Sequence, residues 1–213
     1  MRFRQLLEIV DTEPIFDTSL LLVGDVDPQS IHRQLSHWTQ AGWLYQLRRG
    51  LYALAPPFQK VRPHPFVIAN RLVRSSYVSC QAGLAYYHLI PEYVPVVTSV
   101  TTGRPGSWTT PLGRFDFQHI KTNLLYGYQL TEMEGDQRAF VATPEKALLD
   151  LIYLSPEGDS PRFLEELRLH NLSNLNVAAL QDYATRVHSP KLRRAAENFT
   201  ILAETEAAEY ETL

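Results

Sequence analysis

The side chains best suited to recognition chemistry lie between positions 28 and 50. Gln29, Ser30, Arg33, Ser36, His37 and Gln40 fall in a stretch, Pro28 to Ala41, that contains no acidic residue. Arginine matches the major-groove edge of guanine and glutamine that of adenine, while serine is less selective. An ordinary solvated helix face mixes Glu with Lys. A face without carboxylates suits a surface that lies against phosphate. Arg48-Arg49-Gly50 follows closely, and adjacent arginines at a tight turn can meet phosphate oxygens or enter a minor groove. Together with Arg48 and Arg49, the six polar residues form the candidate surface for double-stranded DNA.

Other reactive side chains lack the spacing that catalysis needs. A carboxylate–lysine nuclease would hold its metal ion with residues such as Asp116, Glu132, Glu145 and Lys146. Glu145-Lys146 falls at an expected helix start, however, where the helix dipole alone favours a carboxylate. The histidines, at positions 32, 37, 64, 88, 119, 170 and 188, form neither H-x-x-x-H nor H-E-x-x-H, so a zinc hydrolase is not expected. The single cysteine, Cys80, excludes an internal disulfide and a cysteine-based zinc site. A helix N-terminus would lower its pKa, whereas burial would make it inert; no pattern around it points to reactivity. Gly103-Arg104-Pro105-Gly106-Ser107 lacks phosphate-loop spacing. No catalytic constellation, metal site or cofactor is expected, and the chain reads as a regulator rather than an enzyme.

The elements that must position the DNA-facing set are legible around it. Phe3, Leu6, Leu7 and Val10 have the i, i+3, i+4, i+7 spacing of an amphipathic helix, ended by a turn through Asp11 to Pro14. Asp17 or Thr18 is placed to cap a second, short helix over Leu20, Leu21 and Leu22, closed by Gly24. Asp27 is a good N-cap for a third helix, with Pro28 at its first position, where a missing N–H costs nothing. Ile31, Leu35 and Trp38 make one narrow apolar stripe on it, and Val26 is spaced to staple onto Ile31. The opposite face carries Gln29, Arg33, Ser36 and Gln40, flanked by Ser30 and His37, and Gly42 ends the helix. Two β-prone runs, Trp43 to Leu47 and Leu51 to Leu54, then form a hairpin with Arg48-Arg49-Gly50 at its tip. Three helices and a hairpin in this order predict a winged helix-turn-helix over residues 1–55.

Four of the 14 prolines fall between Ala55 and Pro65, which no regular helix or central strand can cross. Residues 56–65 are therefore expected to connect the first domain, with few shared contacts, to a second one over residues 66–213. Residues 1–75 carry nine Lys/Arg against six Asp/Glu, and residues 76–213 eleven against seventeen, so a basic module precedes an acidic one. With 213 residues, 45% of them hydrophobic, and no long apolar run or secretory leader, a cytoplasmic protein with packed cores and no membrane partner is expected.

In the second domain, Phe66 to Val73 predicts a helix, and Ser79 is placed to cap another containing Ala82, Leu84, Ala85 and Leu89. Strand-like runs follow at Val96–Thr102, Gly113–Gln118, Tyr126–Thr131 and Arg138–Ala142. Thr143 and Pro144 begin a helix to Leu154, and two or three more helices follow, the last through Leu192, Ala196, Phe199 and Leu202, before an acidic tail. The fold class is α+β, with a mostly antiparallel sheet and a helical C-terminal part.

Three segments carry a family resemblance: Arg49-Gly50-Leu51-Tyr52-Ala53-Leu54, Ser79 to Leu89 with the Val96–Val100 strand, and Ala142 to Leu151. In this order they resemble AbiEi-type antitoxins of bacterial abortive-infection (type IV toxin–antitoxin) systems, over roughly residues 20–155. The resemblance implies a winged helix that represses the protein's own operon. It also implies a C-terminal domain that antagonises a co-encoded nucleotidyltransferase-like toxin. Two other readings stay open: a winged-helix regulator whose second domain senses a small ligand, and a nuclease or nucleotidyltransferase acting on nucleic acid.

Overall fold

The computed structural model describes residues 1–24 and 26–211, with side chains up to residue 203. It is a mixed α+β fold with two sheets. The N-terminal part runs α1 (Phe3–Val10), β1 (Phe16–Asp17), a 3₁₀ turn (Thr18–Leu21), α2 (Pro28–Gln40), β2 (Leu44–Arg48) and β3 (Leu51–Leu54). Its three strands pair antiparallel in the order β1-β3-β2. The expected second helix is only the 3₁₀ turn. Asp17 does not cap it, because its carboxylate accepts a hydrogen bond from Arg71 at 2.8 Å and its backbone belongs to β1. The Thr18 hydroxyl is turned away as well, donating to the Gly50 carbonyl at 3.4 Å.

Helix α2 matches its expected cap and stripe. Both Asp27 carboxylate oxygens accept from backbone N–H groups, of Gln29 and Ser30, each at 3.0 Å. Ile31, Leu35 and Trp38 are buried, and they pack with Leu6, Val10, Tyr52 and Leu54 into one core. Strand β3 is buried on both sides. Tyr52 and Leu54 face that first core, whereas Leu51 and Ala53 join Ile15 and Leu47 in a second one.

The second core overturns the expectation of few shared contacts. Besides these four residues it contains Ile68 and Leu72, and then Phe115, Phe117 and Val141 of the large sheet. The proline-rich connector is tacked down as well. Phe58 packs its ring 4.9 Å from Phe3 and 5.9 Å from Trp43. The His64 N–H donates to Gln137 Oε1 at 2.9 Å, and Gln137 Nε2 donates to the Arg62 carbonyl at 3.0 Å.

The second part runs α3 (Pro65–Leu72), β4 (Ser76–Val78), α4 (Cys80–Tyr86), β5 (Val96–Thr101), β6 (Gly106–Thr110), β7 (Gly113–His119), β8 (Tyr128–Met133), β9 (Gln137–Ala142) and α5 (Pro144–Leu154). Helices α6 (Pro161–Glu166), α7 (Val177–Arg186) and α8 (Pro190–Glu211) complete it. The side chains of the acidic tail lie outside the described residues. The six strands are ordered β6-β7-β5-β4-β9-β8. Three pairings are antiparallel, and two, β4–β9 and β5–β7, are parallel. One face, with Tyr77, Val100 and Ala142, packs on α4, α5, α7 and α8; the other, with Val78, Phe115 and Val141, packs on α3 and the small sheet. Gly83 lets α4 and α5 approach closely, since a Cβ there would lie 2.9 Å from Ala147 Cβ.

Candidate nucleic-acid interface

Helix α2 and the β2–β3 hairpin carry the residues expected to meet DNA. With its apolar stripe buried, α2 leaves Gln29, Arg33, Ser36, His37 and Gln40 exposed, as the helical spacing predicts. Ser30 is half-buried on the flank, near Gln34, whose Nε2 lies 3.4 Å from its hydroxyl. The first N–H groups of α2 are occupied by Asp27, so recognition here must come from side chains. Arg33 reaches Asp27 at 3.9 Å, but both are well exposed, and such a pair contributes at most about 1 kcal/mol. The guanidinium can therefore leave it for a base edge at little cost.

The two hairpin arginines part ways. Strands β2 and β3 join through Arg49-Gly50, with a bulge between Gln46 and Arg48. Gly50 takes a φ of 80°, a left-handed conformation that glycine adopts without steric cost. Arg49 stands exposed at the tip. Arg48 is half-buried and folds back, with its terminal nitrogens 3.4 Å from the Arg49 carbonyl and 3.5 Å from the Arg71 carbonyl at the end of α3. Only Arg49 is presented outward, because the second domain packs against the side of the hairpin where Arg48 lies. Arg71 pairs with Asp17, so α3 braces both β1 and the hairpin.

The enzyme candidates do not converge. Asp116 on β7 and Glu132 on β8 are four strand spacings apart, roughly 19 Å at about 4.8 Å each. The buried Glu145 carboxylate instead accepts from the Asn176 N–H at 2.8 Å, pinning the start of α7. Among the described residues, no three His, Cys, Asp or Glu side chains are grouped to hold a metal ion. Cys80 is buried, and burial pushes its thiol well above the ordinary range, the inert form of the two considered.

A buried polar network was not foreseen in the sequence. Lys146 and Asp150, one turn apart on α5, form an ion pair in which both side chains are at most 1% exposed. Asp150 also accepts from the Ser79 hydroxyl at 2.7 Å and the Tyr77 hydroxyl at 3.0 Å. Ser79, expected to cap α4, is thus diverted to Asp150. Burial pushes the Asp150 carboxyl upward, against the pull of Lys146 and the two hydroxyls. Lys146 Nζ sits 5.0 Å from the Tyr126 ring centre, and burial of that ring lifts its phenol to about 12. The signal in the sequence was a Lys and an Asp four residues apart around an apolar run, Lys146-Ala147-Leu148-Leu149-Asp150.

No family model matches the sequence, and no curated protein matches it. Among solved structures, the crystal structure of the Rv2827c protein from Mycobacterium tuberculosis superposes with a TM-score of 0.52. The match is 14% identical and covers 92% of this chain and 75% of that one. The likeness is one of fold. The segments that carried the family resemblance explain why they speak of fold too: most of Cys80–Leu84 and Glu145–Ile152 is buried, in a core.

Proposed function

We propose that residues 1–55 form a winged helix-turn-helix that binds double-stranded DNA, and that the protein is a transcriptional repressor rather than an enzyme. The observation that carries this reading is the outer face of α2, which is polar, without carboxylates and uncovered by the other described residues. It is supported by the sheet order β1-β3-β2, which sets a hairpin with an outward Arg49 beside that helix. The 3₁₀ turn takes the place of the second helix, α2 is the reading helix, and the hairpin is the wing.

Binding to a duplex from the chain's own promoter, titrated by fluorescence anisotropy against a random duplex at several salt concentrations, tests this. Arg49→Ala should weaken both duplexes alike and flatten the log–log salt dependence by about 0.9, the share of one phosphate contact. Arg48→Ala should change the slope less, since its guanidinium is turned toward α3. Arg33→Ala should cost about 1–3 kcal/mol on the promoter duplex and little on the random one. Equal losses on both would place Arg33 on phosphate and move the reading face elsewhere.

We further propose, on the family resemblance, that the protein acts as an AbiEi-type antitoxin against a co-encoded nucleotidyltransferase-like toxin. The excess of acidic residues beyond position 75 suits a partner with a basic surface. Within the resembling segments only a few side chains, such as Arg49, Gln81 and His88, are exposed and open to such a partner. Growth after induced expression of the toxin, with and without the full-length chain, is the test. Failure to restore growth would leave a DNA-binding regulator without the antitoxin role.

A further inference from the structure

The β4–β9 ladder is short for a structural reason, and a pocket occupies the place where it stops. It holds one register pair, Val78 with Val141. Beyond that pair, the Asn70 side chain of α3 stands in for a strand. Its Oδ1 accepts from the Phe140 N–H at 2.6 Å, and its Nδ2 donates to the Ser76 carbonyl at 3.4 Å. The two strands are thereby held apart. A pocket of ≈ 580 Å³ opens between α3 and the β8–β9 hairpin, within the size range of small-molecule sites.

The lining combines two chemistries. Arg71, Arg74 and Arg138 reach it, and no Asp or Glu lines it among the described residues. Arg71 and Arg138 each pair with one carboxylate, of Asp17 and Glu132, but a guanidinium carries five N–H donors and keeps several free. Arg74 is exposed and makes no ion pair among the described residues. The rest is aromatic. Tyr128 stacks on Tyr77 with ring centres 4.5 Å apart, and Phe140 meets Tyr128 edge-on at 5.8 Å. Tyr77 is fixed from below by its hydrogen bond to Asp150, so the platform is rigid. Yet Tyr128 and Phe140 remain 39% and 43% exposed. Open aromatic surface beside unpaired guanidinium suits a flat ring that carries a phosphate, because bases stack on aromatics and Arg grips phosphate oxygens through paired N–H groups.

We propose that this pocket is a nucleotide-binding site. The base lies on the Tyr128–Phe140 surface, and Arg74 and the free N–H groups of Arg71 hold the phosphate.

Isothermal titration of the full-length protein without DNA tests the site, using AMP, GMP, adenosine and ribose 5-phosphate as probes. At least one of the two nucleotides should bind saturably below about 1 mM, with adenosine and ribose 5-phosphate each at least about ten-fold weaker. Arg74→Ala and Phe140→Ser should each weaken the nucleotide by about ten-fold or more with circular dichroism and Tm unchanged. Both side chains are exposed, and Arg74→Lys, which keeps the charge, should recover part of the loss. No saturable binding of either nucleotide overturns the proposal. So does unchanged affinity in both variants, or ribose 5-phosphate binding as tightly as AMP. The measurement contains no DNA, so its failure leaves the repressor reading standing, and loss of that reading leaves the site standing.

Discussion

Asp150→Ala is expected to destabilise the protein by about 3–5 kcal/mol, the range for removing one partner of a buried ion pair. The variant strands the Lys146 ammonium in a site where its side chain is 1% exposed. It also frees the Tyr77 and Ser79 hydroxyls, both buried, from their acceptor. Each buried group left without its partner carries a desolvation cost. The Lys146→Met/Asp150→Leu double variant separates this from simple loss of packing. It removes both charges and roughly keeps the volume, so it should recover much of the stability lost in the single variant. Urea unfolding of the single and the double variant measures how much of the stability returns. A cost below about 1 kcal/mol for Asp150→Ala would mean that the ammonium finds water, and that the network is not sealed.

The same network shows where reading the sequence stops. Helix α2 was legible because each of its determinants is local: Asp27 and Pro28 start it, Ile31, Leu35 and Trp38 face one way, and Gly42 ends it. The start of α5 was legible likewise, with the Thr143 side chain accepting from the Lys146 N–H as expected of a cap. Strand β4 was not. Ser76–Val78 is too short to show alternation, and it is a strand only because β5 and β9 arrive from elsewhere in the chain. Strand β6 was hidden by the turn residues before it and by the mixed exposure of an edge strand.

For the set expected to face DNA, residue type and helical spacing placed all the α2 residues on or beside one face. They could not place Arg48, whose direction depends on α3, more than sixteen residues downstream. Ser79 is the same kind of case. Its position before α4 favours a local cap, and a carboxylate on α5 offered a better partner. Composition singled out the proline-rich stretch, but prolines report backbone restriction and say nothing of the core beneath.

That core sets the last expectation: residues 1–55 alone should not hold a native fold. The isolated segment keeps its first core, around Leu35 and Trp38, but it uncovers Ile15, Leu47, Leu51 and Ala53, which are buried against the second part of the chain. Burial of a large aliphatic side chain contributes about 1.5–3 kcal/mol, so losing three of them forfeits about 4.5–9 kcal/mol. That is as large as the whole stability of many small domains, about 5–15 kcal/mol. The segment also loses the Asp17–Arg71 pair and the packing of Phe58 on Phe3 and Trp43, both of which tie it to residues beyond 55. Circular dichroism of the 1–55 fragment should show little helix and no cooperative melt. In the intact chain, denaturant curves followed at tryptophan should coincide between a variant that keeps only Trp38 and Trp43 and one that keeps only Trp108, which packs against the second core. A fragment that melts cooperatively, or two separated transitions in the intact protein, would show that the shared core is dispensable and the N-terminal unit independent.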